Sequence, residues 1–135
     1  MSEPEWLELG IVLDVHAEQL ALFGGADGLR DIGLLESALG RPLNKYAYGE
    51  RDLAVLAAAY GFGIARNHPF VDGNKRTAFA SIVIFLGLAG IELDASPANA
   101  TAIMLGLAAG EIGEDGLARW IADYSIALEA PGIQG

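Results

Sequence analysis

Pro69 interrupts the most apolar part of this chain. Before it, residues 50–67 place Leu53, Leu56, Ala57, Tyr60 and Ile64 on one face of a helix. Ala54, Ala58, Ala59, Gly61 and Gly63 fill the rest and allow a neighbour to approach closely. After it, Phe79-Ala80-Ser81-Ile82-Val83-Ile84-Phe85-Leu86 is a second strongly apolar run. A helix that is apolar nearly all round belongs inside a fold. Proline disfavours helical geometry in the residue before it, so the first helix ends at 67 and the second starts near 74. Two buried helices joined by the polar loop 68–73 dictate that everything else packs around them.

The remaining elements follow from local signals. Leu9, Val12, Leu13, His16, Leu20 and Phe23 recur at spacings of three and four, which predicts an amphipathic helix over 7–23, ended by Gly24-Gly25. His16 lies on that stripe and reads as packed core rather than as a ligand. Asp31 is placed to N-cap a short helix over 32–39, with Leu34, Leu35 and Leu39 inward. Arg30 beside it reads as a pin that holds the loop by pairing with a carboxylate, with reach into the active site as the alternative. Residues 40–49 contain Pro42, Asn44 and two glycines and read as a loop, or a short extended flap near 43–48. Tyr46 and Tyr48 there either stack on a ligand or cover the core edge. Glu50 and Asp52 suit the first turn of the helix over 50–67. Ser96-Pro97 opens a helix reaching about residue 109. A last helix is expected over 114–128 and a tail over 130–135, and Trp6-Leu7 is a candidate for a short extended piece. The expected fold is all-α, an irregular bundle of about six helices in one domain over residues 1–135, with its core in about 7–128.

Composition narrows the function. The chain has 135 residues and no cysteine, so disulfides and thiolate metal sites are excluded. Its N-terminus is acidic, without the basic segment of a signal peptide. The apolar runs near 78–91 and 102–109 are broken by glycine and too short for a membrane span. The expectation is a soluble, cytoplasmic protein with no membrane contact. The formal net charge is −10, which argues against direct nucleic-acid binding. Yet Arg30, Arg41, Lys45, Arg51, Arg66, Lys75 and Arg76 all fall between positions 30 and 76, leaving only Arg119 outside. A basic zone in an acidic chain suits a small anionic ligand such as a nucleotide, although ordinary solvated surface charges would give the same pattern.

The loop itself carries the chemistry. Asp72-Gly73-Asn74-Lys75-Arg76 lies at the start of an apolar helix, where the first amides lack intrahelical acceptors and the dipole is positive. Gly73 opens backbone conformations closed to other residues. Lys75 adds charge, and Arg76 adds a fork that fits phosphate. The glycine spacing is not that of a Walker A loop. His68 carries an imidazole, a side chain suited to act as a general base. Asp72 is a hard oxygen donor suited to Mg²⁺. A base, a metal carboxylate and a cationic clamp are the parts of phosphoryl or nucleotidyl transfer. The alternative is structural: Asp72 and Asn74 cap the helix, and His68 bonds to backbone.

At His68-Pro69-Phe70-Val71-Asp72-Gly73-Asn74-Lys75-Arg76-Thr77-Ala78 the chain resembles the Fic/Doc family. The broad Fic branch has glycine after the asparagine, then arginine, and a second arginine further on. Here Lys75 takes the glycine position and Phe79 stands where the second arginine would be. Lys-Arg-Thr after the asparagine resembles the Doc (death-on-curing) toxins, as do Gly28-Leu29-Arg30-Asp31 and Leu34-Leu35-Glu36-Ser37-Ala38-Leu39. The resemblance implies a Fic fold and ATP as substrate. It implies transfer of phosphate to a threonine of elongation factor Tu, which would block translation. It assigns His68 as base, Asp72 as Mg²⁺ ligand, and Phe70, Gly73, Asn74, Lys75 and Arg76 as nucleotide contacts, with Lys75 and Arg76 also in the catalytic set. A long cation at Lys75 would favour a different nucleotide orientation from that of an AMP-transferring relative. The resemblance also implies an antitoxin whose C-terminal segment lies in a groove on the toxin. AMP transfer to a protein hydroxyl, or an inactive Fic-fold binding module, are the alternatives.

Overall fold

A computed structural model describes residues 3–128. Six helices run in the order α1 (Leu9–Phe23), α2 (Ile32–Ala47), α3 (Leu53–Asn67), α4 (Asn74–Leu88), α5 (Pro97–Ala108) and α6 (Glu114–Tyr124). Two short strands, β1 (Ile91–Leu93) and β2 (Ser125–Ala127), pair antiparallel with Glu92 opposite Ile126. The architecture is all-α, as expected. The tail over 130–135 lies outside the described residues.

α3 is the axis of the bundle and packs against α2, α4, α5 and α6. Ten of its residues, from Ala54 to Ala65, are buried, on every side of the helix. Small residues make this possible. A Cβ on Gly63 would lie 3.0 Å from the α2 backbone at Ala38, so the two helices meet almost backbone to backbone. α4 covers a second side of α3 with Ala78, Ile82, Phe85 and Leu86. Tyr60 is fully buried at the centre of α3, and its hydroxyl accepts the Leu7 N–H at 2.9 Å. That bond fastens the segment before α1 to the core. Its ring packs on Phe85, which in turn stacks on Trp6.

Several expectations are corrected. Residues 40–49 are neither loop nor flap: α2 continues to Ala47 with Pro42 inside it. Proline removes one helical hydrogen bond, but Leu35, Ala38, Leu39 and Pro42 form an unbroken buried stripe. Arg41 and Lys45 both pair with Glu114 at the start of α6, and Tyr46 packs edge-on against Trp6 at 5.3 Å. These distant contacts hold the turn that local chemistry would break. Tyr46 therefore covers the core edge, while Tyr48 is 93% exposed. Second, α3 begins at Leu53, because Asp52 caps the Ala54 amide at 2.9 Å and Glu50 accepts from the amides of Arg51 and Asp52 ahead of it. Third, α6 stops at Tyr124, since Ser125–Ala127 is drawn into pairing with β1. The pairing is prolonged by Asp94 N–H to Tyr124 O and Leu128 N–H to Gly90 O. Trp6-Leu7 forms no strand. Fourth, Phe23 leaves the buried stripe of α1 and is 64% exposed.

Burial pushes the Tyr60 phenol up from 10.0 to about 12, against a smaller opposing effect of the Leu7 amide. The folded state therefore holds a proton that the unfolded chain releases at lower pH. This contribution to stability is complete below pH 10.0 and is lost as pH rises towards about 12. Tyr60→Phe should leave the Leu7 N–H without its acceptor and cost about 1–3 kcal/mol at neutral pH. In urea unfolding, the variant should also lose the steepest part of the alkaline decline.

Candidate active site

Loop 68–73 joins the C-terminus of α3 to the N-terminus of α4, and its backbone is set by contacts on both flanks. His68 follows α3 in a left-handed conformation (φ 48, ψ 57). Among the described residues it is the one non-glycine with positive φ. Such a conformation costs on the order of 1 kcal/mol and persists only where its surroundings impose it. Arg30 imposes it. Its guanidinium donates from Nε to His68 O at 2.7 Å and from Nη2 to Asn67 O at 2.9 Å. Arg30 pins the loop as expected, but through the last carbonyls of a helix rather than a carboxylate. A cation there also offsets the negative end of the α3 dipole. The segment 24–31 adds a backbone lattice: Arg30 and Asp31 N–H donate to Pro69 O, and Val71 N–H donates to Gly28 O. Leu29 and Phe70 thereby form an antiparallel bridge.

Beneath the loop, Phe70 is buried and stacks on His16, with ring centroids 3.7 Å apart and planes 7° from parallel. The Asn74 side chain is also buried. Its oxygen accepts the Phe70 N–H at 3.0 Å, and its nitrogen donates to Phe70 O at 2.9 Å. Both side chains, expected to touch nucleotide, are instead spent on the shape of the loop. Phe70 is fully buried and does not line the depression above, whereas Asn74 does.

That depression has a volume of about 410 Å³ and is lined by His68, Val71, Asp72, Gly73, Asn74, Lys75 and Arg76. A larger one, about 510 Å³ at Asn44, Lys45, Tyr48, Gly49 and Glu50, shares none of these residues and contains no histidine. The structure thus gathers His68, Asp72, Lys75 and Arg76 at one opening. The His68 ring is exposed and makes no hydrogen bond among the described residues. Gly73, at φ 78, is the N-cap of α4, and no side chain caps that helix. Asp72 and Asn74 therefore do not cap α4; their side chains bond to the backbone of the loop and of Ala26 instead. The amides of Asn74, Lys75 and Arg76 precede the first intrahelical bond of α4, Thr77 N–H to Gly73 O, and stay available to an anion. Lys75 is exposed and makes no ion pair among the described residues. Arg76 donates to Gly24 O at 2.9 Å and lies over the Phe23 ring at 5.4 Å.

The Asp72 carboxylate is exposed but well ordered by donors. Oδ1 accepts the Gly73 N–H at 2.8 Å, and Oδ2 accepts the Ala26 N–H at 3.2 Å. The Gly73 amide first and the Ala26 amide second hold its carboxyl below the ordinary 3.8, with Arg76 and Lys75 adding to the effect against some desolvation. A Cβ on Gly25 would lie 2.8 Å from Oδ2, so only glycine lets the 24–31 segment come this close. No group of three or more His, Cys, Asp or Glu converges on a metal position among the described residues. Asp72 alone, with lone pairs remaining on both oxygens, fits an ion such as Mg²⁺ that takes one carboxylate and completes its shell with phosphate oxygens and water.

Local signals missed two contributors. His16 reads as core from its stripe, and it is buried, but its Nε2 also lies 2.8 Å from Asp72 O. The backbone of 24–28 supplies the Ala26 and Gly28 contacts without any distinctive side chain. Among the described residues, no helix is long and apolar enough to cross a membrane.

Comparison with known proteins finds relatives of this chain. Residues 6–86 match the model of the Fic/DOC family. A relative from Escherichia phage P1 named Protein kinase doc is 37% identical over 102 residues, which is 75% of this chain and 80% of the relative. A relative from Mycolicibacterium smegmatis named Toxin Doc is 38% identical over 121 residues, which is 86% of this chain and 92% of the relative.

Two outcomes test the geometry. Arg30→Ala should lower stability by about 2–4 kcal/mol in urea unfolding, since two charge-assisted bonds and a dipole partner are lost. Arg30→Lys should recover less than half, because an ammonium cannot bridge both carbonyls. For Asp72 the folded carboxyl is depressed, so its stabilisation is present above the unfolded value of 3.8 and is lost as pH falls below it. Asp72→Asn should flatten the acid limb of the stability profile between about pH 5 and 2.

Proposed function

This chain belongs to the Fic/Doc family, and from that premise we propose that it is a Doc-type toxin: a cytoplasmic protein kinase that transfers the γ-phosphate of ATP to a threonine hydroxyl of elongation factor Tu and so arrests translation. The observation that carries the reading is the uncapped N-terminus of α4. Free amides, Lys75 and Arg76 face one opening beside an unencumbered His68 and an ordered Asp72. The relative named Protein kinase doc supports phosphoryl transfer over AMP transfer. So does the cation pattern. Lys75 fills the position where AMP-transferring relatives have glycine, and Phe79, half-buried against the core, replaces their second arginine.

His68 takes the proton from the attacking hydroxyl. The hydroxyl oxygen bonds to the γ-phosphorus as the bond from that phosphorus to the β–γ bridging oxygen breaks, and ADP leaves. Lys75, Arg76 and the α4 amides hold the polyphosphate and stabilise charge that spreads over its oxygens in the transition state. Asp72 would hold Mg²⁺, which offsets phosphate charge. Its fixed orientation means that little reorganisation accompanies binding.

A toxin of this kind is restrained by a cognate antitoxin. The relative named Toxin Doc supports that partner. Ile11, Leu22 and Phe23 on α1, with Ile32 and Leu43 on α2, are exposed large apolar residues. They are suited to receive an apolar face of the antitoxin's C-terminal segment.

Purified protein incubated with elongation factor Tu should transfer label from γ-labelled but not α-labelled ATP. It should add about 80 Da to the target rather than the roughly 329 Da of an AMP group. His68→Ala should reduce the rate by about 100-fold or more, and Lys75→Ala by about 10–100-fold through loss of a charge-assisted phosphate contact. Transfer of the α label would overturn the kinase reading.

A further inference from the structure

We propose that His16, in α1, is a positioning residue for catalysis, acting by fixing the orientation of the Asp72–Gly73 peptide. The proposal rests on the reading of Asp72 and the α4 N-terminus as a phosphoryl-transfer site. His16 is 4% exposed and sits 56 residues away from Asp72 in sequence, yet its Nε2 lies 2.8 Å from Asp72 O. A carbonyl only accepts, so Nε2 carries the proton and donates. The ring is held in that pose by its stack on Phe70. Phe70 is in turn held through both of its backbone groups by Asn74.

The Asp72–Gly73 peptide is thus gripped at both ends. His16 binds its carbonyl, and the Asp72 carboxylate accepts its N–H at 2.8 Å. The hold of the Gly73 N–H on the carboxylate therefore depends on the orientation of the peptide plane. The plane would otherwise be free to turn. Glycine at 73 accepts positive and negative φ alike, so a half-turn of this peptide meets no Cβ. Without His16 the part-buried carbonyl loses its partner, and turning it towards water is favoured. The half-turn would swing the Gly73 N–H away from Oδ1 and release the carboxylate from one of its two donors. A Cβ on Gly73 would lie 3.6 Å from His16 Cδ2, an ordinary van der Waals contact. The glycine that opens the helix N-terminus to an anion therefore also creates the conformational freedom that His16 removes.

Two variants of matched length separate the hydrogen bond from packing. Gln at 16 retains a donor near the Nε2 position, while Met has the same reach and no donor. Neither retains the aromatic stack, so their difference reports the bond alone. In ¹⁵N–¹H spectra of the full chain without nucleotide, the Gly73 amide of His16→Gln should stay as one peak near its wild-type position. That of His16→Met should double or broaden. With elongation factor Tu and γ-labelled ATP, His16→Met should have kcat about 10–100-fold below His16→Gln, with KM for ATP within about threefold, as misplacement without lost binding predicts. Indistinguishable Gly73 amides, or equal kcat values, in the two variants would overturn the proposal and leave His16 a packing residue. If the wild type labels no protein, the kinase reading fails, and the Gly73 spectra alone decide the positioning claim.

Discussion

Two helix ends face each other across loop 68–73, and they are treated in opposite ways. The carbonyls ending α3 carry partial negative charge, and Arg30 binds two of them. The amides opening α4 carry partial positive charge, and no side chain caps them. A fold built for stability alone would satisfy both. Leaving the second end open beside Lys75 suits the polyanion of the proposed reaction, and closing the first lets His68 hold a conformation that costs energy. The rest of the structure keeps these two ends in register. α3 and α4 are fixed by the apolar interface of Ile64, Ala78, Ile82 and Phe85 with their neighbours, and α2 closes on Gly63 from the other side.

The loop's rigidity comes from beneath and beside it rather than from its own residues. Asn74 imitates a strand partner for Phe70, the 24–31 segment adds backbone bonds, and α1 contributes His16. Phe70 and Asn74 thus serve geometry, while His68, Val71, Asp72, Lys75 and Arg76 line the opening. Asp72 is intermediate. It faces the opening, yet two amides hold its carboxylate, so its direction is set before any ligand arrives. Such preorganisation suits a reaction whose demand is positioning and charge stabilisation.

Much of this was legible in the sequence wherever the cause is local. Pro69 marks the end of α3, Ser96 and Pro97 the start of α5, and Asp31 the cap of α2. Each acts within a few residues. The gathering of His68, Asp72, Lys75 and Arg76 at one opening is legible for the same reason: they lie within a short stretch of chain. What escaped depends on distance. α2 passes through Gly40 and Pro42 because Arg41 meets Glu114, 73 positions away, and Tyr46 meets Trp6. β2 forms because residues 91–93 lie alongside it. His16 looked like core because it is core. Its second role requires Asp72 to be brought to it. Phe70 and Asn74 were given to the ligand because motif position does not reveal which side chains a loop keeps for its own shape.

The open N-terminus of α4 is the proposed place where nucleotide phosphates bind. Backbone amide shifts followed during titration with Mg²⁺ and a non-hydrolysable ATP analogue test this directly. The predicted result is saturable movement centred on Asn74, Lys75 and Arg76, lost in Lys75→Ala at the same nucleotide concentration. Shifts centred on Asn44–Glu50 instead, or none at 74–76 when the nucleotide is in large excess, would contradict it.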